Sequence, residues 1–141
     1  YNKNFLLKIL NLIKKYEKTK IPLKIVSDQF GAPTNTFTLS IICWDLINKI
    51  QNNNSQKIFH WSDEAEISWF EFAKEILKIG LEIGLLKKEV PINKICSSEF
   101  ISAAKRPKYS VLDTKSTEKF LNTKKENWKI KLKFVMQKLY D

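Results

Sequence analysis

Near the start of the chain, apolar side chains recur at intervals of three and four: Phe5, Leu6, Ile9, Leu10, Leu12, Ile13 and Tyr16, with lysines between them. That spacing predicts an amphipathic helix from Asn4 to Tyr16. Pro22 closes the region, and Leu23 to Val26 reads as a short strand running into Ser27-Asp28-Gln29 and the turn Phe30-Gly31-Ala32-Pro33-Thr34. Thr34 or Thr36 is placed to cap a second helix reaching about Gln51. Its apolar residues (Phe37, Leu39, Ile41, Ile42, Trp44, Leu46, Ile47 and Ile50) cover more than one face, which predicts a largely buried helix. Asn52 to Ser55 forms a polar turn before the strand-like Lys57-Ile58-Phe59-His60-Trp61.

Ser68 and Glu71 have the S-x-x-E spacing of a capping box, so a long helix is expected from Trp69 to about Leu86, with Phe72, Ile76, Ile79 and Ile83 on one stripe. An extended piece, Val90 to Cys96, precedes a loop from Ser102 to Tyr109. A small helix from Lys115 to Leu121 follows, and a final helix carries Trp128, Leu132, Val135, Met136 and Leu139 as its stripe. Strands alternate with helices, which places the chain in the α/β class, mostly helical with two or three short strands. That is fewer strands than a parallel sheet needs to stand alone, so the chain reads as the completing piece of an α/β fold.

A length of 141 residues accommodates one domain, and the absence of an uninterrupted apolar run of about 18 residues excludes a membrane-spanning helix. The chain begins at Tyr1 and its single methionine is Met136, so it reads as part of a longer protein. No secretory signal precedes the first helix, which points to the cytoplasm.

The net charge of +10 raises the question of a polyanionic partner. Arg106, however, is the one arginine among 25 basic residues, and the lysines are scattered along the whole chain. That distribution is a generic solvated surface, and no nucleic-acid partner is expected. Cys43 and Cys96 sit in apolar settings far apart and are expected as buried reduced thiols, with no metal site. A single histidine, His60, excludes a site built on several imidazoles.

The glycines, Gly31, Gly80 and Gly84, have no phosphate-loop spacing, so the chain itself holds no dinucleotide. Gly80 and Gly84 are expected inside a helix at a close packing contact. Tyr16 and Lys20 have the Y-x-x-x-K spacing of a reductase proton donor, but Tyr16 is better explained as the end of the first helix's apolar stripe. Asp63, Glu64 and Glu66 are expected to complement the dipole of the helix that follows them.

Two segments carry more chemistry. Asp28 to Thr34 follows a strand, where α/β folds place ligand loops, and is either such a loop or an ordinary strand-to-helix turn. Ala104-Lys105-Arg106-Pro107-Lys108 keeps the one guanidinium, suited to bidentate binding of a phosphate or to a structural salt bridge.

Three stretches, taken in order, resemble one family. They are Val26-Ser27-Asp28-Gln29-Phe30-Gly31-Ala32-Pro33-Thr34, then Phe59-His60-Trp61-Ser62-Asp63 leading into Ile67-Ser68-Trp69-Phe70-Glu71-Phe72-Ala73, then Ala104 to Thr114. With Asn4-Phe5 at the front, they look like the C-terminal, substrate-binding half of dTDP-4-dehydrorhamnose reductases, which are extended short-chain dehydrogenases/reductases of Rossmann type. The resemblance spans residues 1–141. It implies an upstream Rossmann half that binds NADPH or NADH and holds every catalytic residue, so that this portion alone is inactive; it also admits magnesium and a homodimer of the full-length protein.

The partner implied is a dTDP-sugar, reduced at its C4 ketone to dTDP-L-rhamnose for polysaccharide biosynthesis. The substrate-side residues implied are Asn4, Phe5, Gln29, Phe30, Gly31, Ala32, Pro33, Thr34, Lys105, Arg106 and Pro107. Chemistry suggests Arg106 for the diphosphate and the loop from Gln29 to Pro33 for the sugar or nucleoside end. Two other functions remain open: a non-catalytic regulatory subunit of the same fold that binds a partner protein, and a small basic nucleic-acid binder.

Overall fold

The computed structural model describes residues 4–50, 58–101 and 104–140. The first helix, α1 (Phe5–Thr19), opens on Asn4, whose Oδ1 accepts the Leu7 N–H at 2.8 Å. It runs past Tyr16 and closes at Lys20, which adopts a left-handed conformation with φ 57°. Lys20 therefore lies beyond the helix, its Nζ 5.8 Å from the Tyr16 ring centroid, and Tyr16 packs against the core. This is the structural role expected for the Y-x-x-x-K pair.

β1 (Leu23–Val26) pairs in parallel with β4 (Ile92–Ile95), Leu23 opposite Ile92 and Val26 opposite Ile95. Parallel neighbours need a long crossover, and the chain between them supplies β2 (Phe30–Gly31), α2 (Thr36–Ile50), β3 (Ile67–Ser68) and α3 (Trp69–Glu82). β2 and β3 form a second, antiparallel pair. The four strands are more than the two or three expected, but each sheet has only two. Residues 58–60 belong to no strand, although the sequence pattern predicts one there. The polar turn at Asn52 to Ser55, with Gln51 and Lys57, lies outside the described residues.

α3 is the centre of the core. Its capping box forms as expected: the Glu71 N–H donates to Ser68 Oγ, and the Ser68 N–H donates to Glu71 Oε2 at 2.7 Å. Phe72, Ala73, Ile76, Ile79 and Gly80 form its buried stripe. Against it pack Leu6, Ile9, Leu10 and Ile13 of α1, Leu23 and Ile25 of β1, and Trp128, Leu132 and Met136 of α5 (Trp128–Tyr140). Leu139, placed on the α5 stripe by its spacing, is exposed, because the core ends at Met136.

α3 stops at Glu82, short of the expected Leu86. Gly84, with φ 75°, turns the chain back so that Leu86 folds onto Gly80. A Cβ on Gly80 would come within 2.6 Å of Leu86 Cδ1, whereas Gly84 has nothing within 4 Å; only Gly80 marks a close packing contact. The last small helix, α4 (Lys115–Leu121), has the expected bounds.

Two expectations about burial fail. α2 buries only Thr38 and Ile42, because the described residues place neighbours on one side of it alone. Cys43 and Cys96 are both free and exposed, the first on that uncovered helix and the second just beyond β4 at the surface.

Candidate functional site

The segment after β1 is pinned at its start. Asp28 Oδ1 accepts the Ser97 N–H and Oδ2 accepts the Ser97 hydroxyl, both at 2.8 Å. The Ser97 hydroxyl bond holds the Asp28 carboxyl below the usual carboxylate range. The half-buried Gln29 leads directly into β2.

Phe30 is bound on both sides. Toward β3 it pairs with Ser68, and Gly31 pairs with Ile67. On the other side the Phe30 N–H donates to the Lys108 carbonyl at 2.8 Å, while its own carbonyl accepts the Ser110 N–H and the Ser110 hydroxyl, each at 2.9 Å. Phe30 thereby bridges Tyr109 in parallel. Gly31 permits this close approach: a Cβ there would sit 3.1 Å from Ser110 Oγ. Two segments about eighty residues apart, both singled out from the sequence, are thus joined by backbone hydrogen bonds.

Arg106 lies two residues before that junction, in an exposed stretch with Lys105 and Pro107. Among the described residues no carboxylate pairs with Arg106. Tyr109 is exposed, and its phenol is pushed above its ordinary range first by desolvation and then by Glu66. Glu66 thus faces Tyr109 as well as preceding α3.

At its other end the loop forms the wall of a cavity of about 410 Å³, within the usual size range of small-molecule pockets. Ala32, Pro33 and Thr34 line it together with Asn4, Phe5, Trp69 and Trp128. Phe5 stacks 5.3 Å from Phe72 and tilts 4.7 Å from Trp69. Asn4 is exposed, and its Oδ1 is engaged in capping α1. Of the three candidate groups, then, the loop from Gln29 to Thr34 is common ground: β2 meets the segment after Arg106, and the following turn meets Asn4 and Phe5.

Sequence reasoning missed the groups that hold this turn. Asn35, and neither Thr34 nor Thr36, caps α2: its Oδ1 accepts the Phe37 N–H at 2.7 Å and the Thr38 N–H at 3.3 Å. Asp63, 1% exposed, accepts the Asn35 N–H at 2.7 Å, so it serves the start of α2 and not that of α3. Burial pushes the Asp63 carboxyl above the ordinary carboxylate range, and the Asn35 N–H offsets part of that. No local spacing signals a contact between residues 35 and 63, although an acidic side chain ahead of a helix was visible.

Of the three glycines, Gly31 serves a strand junction, Gly80 helix packing and Gly84 a turn. No metal-binding cluster of His, Cys, Asp and Glu occurs among the described residues, and no helix is long and apolar enough to cross a membrane.

Comparison with known proteins agrees with this geometry. The family model described as RmlD substrate binding domain matches residues 1–141. A dTDP-4-dehydrorhamnose reductase from Aggregatibacter actinomycetemcomitans is 27% identical over 135 residues, 94% of this chain and 45% of that protein. The spore coat polysaccharide biosynthesis protein SpsK of Bacillus subtilis is 32% identical over 123 residues, 87% of this chain and 39% of that protein. Among solved structures, a dTDP-4-dehydrorhamnose reductase from Clostridium acetobutylicum superposes with a TM-score of 0.82 at 30% identity, covering 99% of this chain and 45% of that one. The Bacillus anthracis reductase, solved in complex with NADP, gives 0.71 at 27% identity, covering 94% and 42%. The chain spans less than half the length of each of these relatives. With its whole length matched and its fold shared, the chain belongs to the RmlD substrate binding domain family.

Proposed function

We propose that residues 1–141 are the dTDP-sugar-binding portion of a dTDP-4-dehydrorhamnose reductase acting in dTDP-rhamnose and polysaccharide biosynthesis in the cytoplasm. The observation that supports this reading is the hydrogen-bonded junction of Phe30 with residues 108–110, which begins two positions after Arg106 and joins that segment to the loop whose following turn lines the cavity. In this reading Arg106 clamps the diphosphate and Lys105 adds positive charge, with Pro107 stiffening the backbone between them and the junction. Residues Gln29 to Thr34 with Asn4 and Phe5 hold the sugar or nucleoside end. This portion binds and orients the substrate. The nicotinamide cofactor, NADPH or NADH, supplies the hydride from the remaining half of such an enzyme, where the proton donor also resides, and residues 1–141 alone give no turnover.

Full-length homodimers fit the reading, and the positive charge is solvated lysine that recruits no nucleic acid. The test is titration of the complete protein with dTDP-L-rhamnose. Arg106→Lys is expected to weaken binding about fivefold to tenfold, since loss of a bidentate charged contact costs about 1 kcal/mol or more. Unchanged affinity would remove the diphosphate assignment, and absence of binding by the unmodified protein would remove the reading.

A further inference from the structure

Unpartnered polar atoms inside the molecule gather at one place. Among the described residues, the buried side-chain atoms without a hydrogen-bond partner are Thr38 Oγ1, Trp61 Nε1, Ser62 Oγ and Asp63 Oδ1. Trp61, Ser62 and Asp63 are consecutive, and Thr38 stands toward Asp63 from the first turn of α2. Of these residues Asp63 is the one that carries a full charge when ionised, and the one that lines the cavity shared with Phe5, Trp69 and Trp128. Buried polar atoms are almost always paired, and an ionised carboxylate has room for about four hydrogen bonds.

Asp63 is held in place and left short of donors. Its Oδ2 accepts the Asn35 N–H at 2.7 Å, which fixes the side chain beside the turn that lines the cavity, whereas its Oδ1 has no partner. Burial outweighs the Asn35 N–H, so the carboxyl sits above the ordinary carboxylate range for want of further donors. Lys131, the cation that lines the same cavity, gives its Nζ to Glu126 Oε2 at 2.6 Å and forms no ion pair with Asp63. With Asp63 only 1% exposed, its free oxygen is an acceptor sheltered from bulk water, offered to whatever fills the cavity.

The chemistry of the cavity selects its occupant. At about 410 Å³ it has room for a hexose, whose C–H faces suit the aromatic walls and whose edge hydroxyls suit a lone acceptor. Thymine suits it poorly, because its one N–H lies between carbonyl oxygens that a carboxylate repels. We propose that Asp63 accepts a hydrogen bond from a ring hydroxyl of the hexose in the dTDP-sugar, so that the cavity takes the sugar end of the ligand and Asp63 reads the hydroxyl there. The inference rests on the dTDP-sugar reading and decides which end of that ligand the cavity holds.

The experiment is titration of the complete protein with dTDP and with dTDP-L-rhamnose, in the unmodified form and as Asp63→Asn. In the variant the carboxamide oxygen keeps the Asn35 N–H, and an amide nitrogen takes the place of the free oxygen. The expected result is about tenfold weaker binding of dTDP-L-rhamnose, through loss of a charge-assisted hydrogen bond, with dTDP binding unchanged. A purely structural Asp63 would move both ligands alike, since the turn it holds serves both.

Should the variant not fold, the unmodified protein still decides. The carboxyl carbon signal of Asp63, followed by NMR, should shift when dTDP-L-rhamnose is added and stay in place with dTDP. Equal loss of both ligands in the variant, loss of neither, or an Asp63 signal that dTDP-L-rhamnose leaves in place overturns the proposal. A signal that dTDP alone moves overturns it in favour of the nucleoside end. Absence of binding of both ligands to the unmodified protein is a different result, which removes the dTDP-sugar reading and the inference with it.

Discussion

Helices α2 and α3 are of similar length and comparable apolar content, yet they have opposite fates. α3 opens on a reciprocal capping box and turns a narrow stripe into the core, where Ala73 and Ile76 are fully buried and Lys74, Lys78 and Glu82 stay outside. α2 opens on Asn35 and Asp63, from segments far apart in sequence, and buries two of its fifteen residues. The comparison separates two causes of burial. A narrow stripe finds its partners within the same compact unit, because a few neighbours suffice to cover it. A helix apolar on most sides needs more neighbours than the described residues supply, and its outer face stays exposed.

The sharpest way to break this contrast is a pair of truncations in residues 1–141. Ile76→Ala should lower the unfolding free energy by about 2–5 kcal/mol through lost burial and a cavity, whereas Ile41→Ala should change it by less than about 0.5 kcal/mol. Urea titration measures both, and equal losses would show that α2 is covered after all. A smaller effect, about 1 kcal/mol, is expected for Ser68→Ala, which removes the oxygen that accepts the Glu71 N–H. No loss there would mean that α3 is held by packing alone.

The smallest effect concerns pH. Burial raises the folded-state pKa of Asp63 above its ordinary value of 3.8, so native protein keeps a proton that the unfolded chain has released over the window starting near 3.8 and extending upward. Unfolding free energy therefore falls as pH rises through that window. Asp63→Asn keeps a carbonyl oxygen for the Asn35 N–H and removes the titrating group, so its stability should vary less with pH there. An identical pH profile for the variant would show that Asp63 stays ionised at little cost.

The features legible in the sequence are those that local interactions decide. α1, β1, the start of α3 and α4 follow from stripes, a proline and a capping box, each contained within a few residues. The α/β class followed from alternation, and the family from motifs in the right order. What escaped depends on distance. Asp28 meets Ser97, and Phe30 bridges Tyr109, through contacts that no spacing encodes. Residues 58–60 have strand character but stand outside any strand, since a strand pattern records preference for a sheet and not the presence of one. The expected burial of Cys43 failed for the same reason as that of α2, because an apolar neighbourhood in sequence is no guarantee of cover in space. The substrate-side residues were named by resemblance, and the structure adds that the loop from Gln29 to Thr34 links the other two groups.

The most direct test of the account is a map of backbone amide shifts when dTDP-L-rhamnose is added to the complete protein. The account expects the largest changes along the joined strip, at Gln29, Phe30, Gly31, Arg106 and Ser110, with the amides of Ile41 and Trp44 on α2 unmoved. Changes confined to other surfaces, or none at saturating ligand, would contradict the claim that this strip reads the nucleotide sugar.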